Sequence, residues 1–305
     1  MSFAMVGLGK MGGNMVRRLA RGGLRTWVFD RNPAARASLA RDTGATDCAS
    51  LDELVAALQA PRIIWLMLPA GAATQSTIDT LLPLLAAGDI LVDGANAWYR
   101  DTTIRATTAA ERGIQLVDVG VSGGVWGLEE GYGLMIGGDE RSVALLQPYF
   151  EALAPAPNHG WLHCGPSGAG HFVKMVHNGI EYGAMQAYAE GIALMVAKPG
   201  MDLDVAKITE SWRHGTVIRS WLLDLTADFL AQDQKLTDIA PNVADSGEGR
   251  WTAIEAIELG IPTPVMTSAL LSRFSSQGNG DYGNKVLARM RQAFGGHAVK
   301  SAGKP

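Results

Sequence analysis

The sequence predicts an α/β chain: an N-terminal, doubly wound parallel sheet followed by a mainly α-helical domain. Three observations lead there. Over the first half, short apolar runs alternate with helix-period segments, the pattern of strands joined by crossover helices. The run Ile63-Ile64-Trp65-Leu66-Met67-Leu68 is apolar without alternation, as expected of a strand covered on both faces. Beyond Gly165 the period switches to helical and stays so.

Strands are expected at residues 3–6, 26–29, 63–68, 90–92 and 115–119, each followed by a loop carrying Gly, Asp, Asn or Pro. Residues 168–198 contain no proline and read as one helix, about 45 Å long at the helical rise. It carries Lys174, His177, Glu181 and Glu190, so it does not read as a membrane span. Gly179, Gly183 and Gly191 would each weaken an isolated helix by up to about 1 kcal/mol, which points to something packed closely against it. After Pro199-Gly200 the chain reads as helical to its end, with breaks near residues 245–249, 260–264 and 277–283 and a mobile tail after His297. Domains of 1–166 and 167–305 are therefore expected. At 305 residues the chain is comfortable for two.

Composition narrows the functional classes. A formal net charge of −4 supplies no basic field, which disfavours nucleic acid as a partner. The start, MSFAMVGLGKMGG, lacks a basic segment followed by a long apolar run, so no signal peptide is expected. Cys48 and Cys164 are too few for a disulfide framework and fit a reducing cytoplasm. Cys164 reads as a small packing residue rather than a catalytic thiol.

Gly7-Leu8-Gly9-Lys10-Met11-Gly12 is a GxGxxG string directly after an expected strand and directly before an expected helix. In that context it is a dinucleotide-binding turn of Rossmann type. Gly7 makes the turn, Gly9 admits the pyrophosphate and Gly12 lets helix and strand approach, with the anion on the positive helix N-terminus. Asp30 follows Gly12 by 18 positions, where a carboxylate binds the ribose hydroxyls and repels a 2′-phosphate. NAD is therefore expected ahead of NADP, which Arg31 could still accommodate. Leu68-Pro69-Ala70-Gly71 is expected to wall the cofactor on one side.

The chemistry is expected in three further stretches: Asp93-Gly94-Ala95-Asn96, Gly120-Val121-Ser122-Gly123-Gly124, and residues 168–183. On a helix Lys174, His177, Asn178 and Glu181 stand at i, i+3, i+4 and i+7, one face of two turns. A base, two hydrogen-bonding groups and an acid on one face of an apolar helix are costly unless they serve a site.

At these residues the chain resembles the 6-phosphogluconate dehydrogenases, within the wider β-hydroxyacid dehydrogenase group. The carrying run is GAGHFVKMVHNGIEYGAMQ, supported by GLGKMGGN, DGAN, GVSGG, SGEGRWT, Arg273-Phe274-Ser275-Ser276 and RQAFGGH. The resemblance implies oxidative decarboxylation of a phosphorylated sugar acid, with Lys174 as base and then acid, Glu181 as the acid that protonates C1 of the resulting enediol, and no metal. A lysine acting as a base needs a lowered pKa, which partial burial supplies. The resemblance also implies catalytic support from His177 and Asn178. It implies substrate contacts at Asn96, Ser122, Gly123, Gly124, His177, Asn178, Tyr182, Arg250, Thr252, Arg273, Arg291 and His297, and a cofactor contact at Asn96. In the family the tail enters a neighbouring subunit's site, so a homodimer or homotetramer is implied.

The chain is a short form. Val125-Trp126-Gly127 stands where many members have Glu-Glu-Gly, Arg250 where they have lysine, and Asp30 where NADP-linked members have asparagine. A non-decarboxylating β-hydroxyacid dehydrogenase is the nearest alternative, but it would not need Glu181 or the late basic residues. A nucleotide-sensing protein without turnover would need neither Lys174 nor Glu181.

Overall fold

The computed structural model describes residues 2–300; the last five residues of the tail expected to be mobile lie outside them. The chain divides into two compact units, one ending at His177 and the other beginning at Asn178.

The first unit is an eight-stranded sheet with helices. In chain order it runs β1 (Ser2–Val6), α1 (Lys10–Arg21), β2 (Thr26–Phe29), α2 (Pro33–Thr43), β3 (Thr46–Asp47), α3 (Leu51–Ala57), β4 (Arg62–Leu66), α4 (Ala72–Leu81) and β5 (Ile90–Asp93). It continues with α5 (Tyr99–Ala110), β6 (Gln115–Ser122), α6 (Gly127–Glu130), β7 (Gly133–Gly137), α7 (Glu140–Leu153) and β8 (Trp161–Gly165). The strand order is β3-β2-β1-β4-β5-β6-β7-β8, parallel throughout except where β7 runs antiparallel to β6. The order reverses between β1 and β4. In open α/β sheets a ligand sits beyond the carboxyl ends of the strands at such a point.

Each central strand buries both faces. Phe3, Met5, Ile63 and Trp65 enter one core, while Ala4, Val6, Ile64 and Leu66 enter the other. Fully burying each large apolar side chain contributes about 1.5–3 kcal/mol, which is why the run at 63–66 shows no alternation. All five expected strands are present. β3, β7 and β8 were not expected: two residues give β3 no pattern, Gly133-Leu134-Met135-Ile136-Gly137 is bounded by glycines, and Trp161–Gly165 includes polar His163.

The long helix is α8 (Ala169–Ala197), 29 residues, with Lys174, His177, Asn178 and Glu181 along it. The second unit continues with α9 (Val205–Trp212), α10 (Trp221–Gln232), α11 (Glu248–Leu259), α12 (Pro264–Ser276) and α13 (Asp281–Gly295). The expected break near residues 245–249 is in fact a longer non-helical segment, 233–247. Asp233 begins it by accepting from the Lys235 N–H, a turn that competes with helix. A further break, residues 213–220, ends at Ser220, which caps α10 at Leu223 N. No helix among the described residues is long and apolar enough to cross a membrane.

Candidate active site

The glycine turn forms as expected. Gly7 has φ +91, and a Cβ there would meet Leu68 at 2.7 Å and Met67 backbone more closely still. A Cβ on Gly12 would collide with the Gly7 carbonyl, so α1 can approach β1 only through glycine. Gly9 differs, because a Cβ there would meet no atom of the described residues within 4 Å. Space kept open at the start of a helix, with Lys10 and Met11 as its first residues, suits a pyrophosphate on the backbone N–H groups.

Beside the turn lies a cavity of about 510 Å³ lined by Gly7, Gly9, Asp30, Arg31, Leu68 and Pro69. Polar and apolar walls of this size fit a dinucleotide's adenosine end. Ala70 and Gly71, the remaining wall residues expected, are exposed. Asp30 does more than line the cavity. Its Oδ2 accepts the Leu8 N–H at 2.8 Å and its Oδ1 accepts the Asn32 N–H at 2.8 Å, so the carboxylate ties β2 to the glycine turn.

The loop after β5 is held from below. Asp93 accepts the Ala95 N–H at 3.1 Å and pairs with Arg105 at 2.9 Å, both side chains buried. Arg105 Nε in turn donates to Gln75 at 2.9 Å. Asn96, at φ +48, spans to β6: its Nδ2 donates to Val121 O at 3.0 Å and its Oδ1 accepts the Val121 N–H at 2.8 Å. Ser122 ends β6, and Gly123 and Gly124 turn away at φ +123 and +53. The next residues, Val125 and Trp126, are exposed.

Lys174 is buried, 5% exposed, with Nζ 3.3 Å from His177 Nδ1. β6 decides where it sits. Asp118, fully buried, accepts the Gly168 N–H at 2.6 Å and the His171 N–H at 2.8 Å, two donors at the start of α8. Two residues along the same strand, a Cβ on Gly120 would collide with Lys174 Cβ and lie 2.9 Å from its Cγ. One strand thus caps the helix and receives the lysine stem. Asp118 was missed from the sequence, although a carboxylate within Leu116-Val117-Asp118-Val119 signals a buried group that needs partners.

In the second unit Asn178 and Glu181 are half-buried and Tyr182 is buried. A Cβ on Gly179 would lie 2.8 Å from Thr252, so this glycine admits α11. Arg250 pairs with Asp245 and lies 4.7 Å over the Phe274 ring, while Arg273 lies 3.4 Å over the Tyr182 ring. The structure therefore brings Tyr182, Arg250, Thr252 and Arg273 into one neighbourhood. Burial alone would raise the Asp245 carboxyl, but hydrogen bonds from Arg250 and the Gly247 N–H outweigh it and hold the group below the usual carboxylate range. Arg291 and His297 are exposed, on and just past a helix with no buried residue.

The family profile for the NAD binding domain of 6-phosphogluconate dehydrogenase matches residues 2–164, and that for the enzyme's C-terminal domain matches residues 170–301. The chain is 40% identical over 301 residues to the NAD(+)-dependent, decarboxylating 6-phosphogluconate dehydrogenase of Haloferax volcanii, covering 98% of each. It is 38% identical over 284 residues to the decarboxylating 6-phosphogluconate dehydrogenase of Staphylococcus aureus, covering 89% of this chain and 60% of that one. Among solved structures, Plasmodium falciparum 6-phosphogluconate dehydrogenase, described apo and with NADP+ or 6-phosphogluconate, superposes with a TM-score of 0.83 at 27% identity. That match covers 100% of this chain and 67% of the other. A 3-hydroxyisobutyrate dehydrogenase from Salmonella typhimurium shares the fold, with a TM-score of 0.75 at 24% identity over 92% of this chain and 95% of that one.

Proposed function

The chain belongs to the 6-phosphogluconate dehydrogenase family, and on that premise we propose that it oxidises and decarboxylates 6-phosphogluconate to ribulose 5-phosphate and CO2. The observation that carries this reading is the buried Lys174, seated on Gly120 and hydrogen-bonded to His177 on an apolar helix that also bears Glu181.

Neutral Lys174 takes the C3 hydroxyl proton. A dinucleotide held by the glycine turn and Asp30 would supply the acceptor for the hydride that leaves C3. Lys174, now an ammonium, donates to the C3 carbonyl oxygen as the C1–C2 bond breaks, and CO2 leaves an enediol. Glu181 protonates the former C2 of that enediol, which becomes C1 of ribulose 5-phosphate, while Lys174 takes back the C3 hydroxyl proton and the ketone forms. A β-keto acid loses CO2 readily once its carbonyl is polarised, so this chemistry asks only for a positioned proton donor. His177 and Asn178 orient the hydroxyl and carboxylate. Asn96, Ser122, Gly123 and Gly124 border the sugar acid, and Asn96 also faces the cofactor. Arg250, Thr252, Arg273 and Tyr182 serve the phosphate, with Arg291 and His297 supplied by a neighbouring subunit's tail.

NAD is the preferred cofactor, with NADP also accepted. The charge of Asp30 in the cavity lining and the NAD(+)-dependence of the Haloferax relative support this. A homodimer or homotetramer is supported by Leu194, Val196, Ile257, Val265 and Phe294, all exposed in the second unit. Cytoplasmic residence is supported by the two free cysteines.

The test is reduction of NAD and NADP, each followed by absorbance at saturating 6-phosphogluconate. Turnover with a higher kcat/KM for NAD is expected. Turnover of 3-hydroxyisobutyrate but not of 6-phosphogluconate would replace this reading by the non-decarboxylating one.

A further inference from the structure

The Asp245 side chain is 2% exposed yet sits where the proposed function puts a phosphate. A buried carboxylate beside an anion site asks for an explanation, since its charge opposes the ligand's. Its contacts suggest one. Asp245 Oδ2 takes the Nε edge of the Arg250 guanidinium. Oδ1 accepts the Gly247 N–H at 3.0 Å and the Tyr182 hydroxyl at 3.3 Å. The Tyr182 hydroxyl in turn accepts the Ser246 N–H at 3.3 Å, and a Cβ on Gly249 would press into the Tyr182 ring. Arg273 lies 3.4 Å over that ring and donates to Ala244 O at 2.8 Å.

We propose that Asp245 is a positioning residue: it grips the Nε edge of Arg250, which lies over the Phe274 ring, and so directs the outer guanidinium edge at the substrate phosphate. This rests on the phosphate reading above and deepens it. A guanidinium offers several donors in a rigid plane, so fixing one edge fixes the direction of the other, which a lysine cannot do. A long side chain held in one geometry also loses less freedom when the anion binds. Two guanidiniums against one carboxylate leave the cluster net positive. The same contacts orient Tyr182 by taking its one hydroxyl proton, which makes Tyr182 a platform for Arg273.

The opposite relation, Asp245 competing with phosphate for Arg250, predicts an effect of opposite sign, so one substitution separates them. Asp245→Asn keeps the shape and removes the charge that grips Arg250. We expect the KM for 6-phosphogluconate and the inhibition constant of inorganic phosphate to rise about tenfold, with kcat within twofold. Arg250→Lys, at a side chain 55% exposed, keeps a cation but loses the grip, and raises both constants even should Asp245→Asn fail to fold. In the Arg250→Lys background Asp245→Asn should add nothing, because the two act through one contact. Tighter phosphate binding by Asp245→Asn, or the same loss in both backgrounds, overturns the proposal. A wild type that binds inorganic phosphate but does not turn over 6-phosphogluconate would instead fail the substrate reading, while the phosphate arm still tests Asp245.

Discussion

Gly120→Ala tests how Lys174 is placed without touching any group that reacts. The added methyl would collide with Lys174 Cβ, lie 2.9 Å from its Cγ and lie 3.0 Å from the Gly170 carbonyl oxygen. The side chain alone cannot relieve this. Its Cβ is fixed to the helix, and α8 is pinned one turn earlier by Asp118 and packed through Gly170, where a Cβ would meet Asp118 O and Gly137 N at 2.7 Å. Helix and strand must therefore separate by about 1 Å, since an ordinary carbon contact needs about 3.5–4.0 Å. Overpacking of that kind costs about 1–3 kcal/mol of stability, and a reacting group displaced by about 1 Å costs about 100-fold in rate. We expect a folded variant with a kcat about 100-fold down and a KM for NAD within about twofold, because the glycine turn after β1 is untouched. Initial rates with each substrate varied, beside a thermal melt, measure both. A folded variant retaining a third of the wild-type kcat would refute the account of how β6 seats the lysine.

Gly9→Ala should do the reverse: its Cβ meets nothing among the described residues, so stability should stay within about 0.5 kcal/mol while the KM for NAD rises at least about tenfold, read by melt and rate assay. Asp30→Asn is a cleaner cofactor test than alanine, since the amide oxygen can still accept the Leu8 N–H while the charge is gone; the ratio of kcat/KM for NADP to that for NAD should rise, and a ratio that stays put would unseat Asp30 as the discriminator. Asp139 caps α7 at Arg141 N and Ser142 N. Burial alone would raise its carboxyl, but the bonds from Ser142 and Arg141 hold it below its ordinary value of 3.8. Its depressed pKa places that stability above about pH 4 and removes it as pH falls through the lower folded value. Asp139→Ala should cost about 0.5–2 kcal/mol in denaturant unfolding at neutral pH and less at pH 3.

The parallel half of the fold was legible because burial on both faces leaves uninterrupted apolar runs, and because GxGxxG means a particular backbone geometry only between a strand and a helix. Lys174, His177, Asn178 and Glu181 lie on one continuous helix, as the sequence period predicts, while Gly168 precedes it in a left-handed turn. What escaped were features whose meaning depends on a distant partner. β7 and β8 have no pattern of their own: β7 forms on the edge that β6 offers, and β8 on the edge that β7 then offers. Asp118 and Asp245 each look like ordinary polar residues until the three-dimensional chain brings two N–H groups to one and a guanidinium to the other. Segment 233–247 escaped for a different reason. Its helix formers are outweighed by Asp233 and Pro241, whose local bonding and ring geometry resist helix.

The central claim is that Lys174 drives an oxidation coupled to loss of C1, and it is measured most directly with 6-phosphogluconate labelled at that carbon. Wild type should release labelled CO2 in one-to-one ratio with NADH, and Lys174→Met, still binding NAD, should lose about 100-fold to 10,000-fold in both signals together. Formation of NADH without labelled CO2, or a Lys174→Met variant retaining a tenth of the wild-type rate at neutral pH, would contradict it.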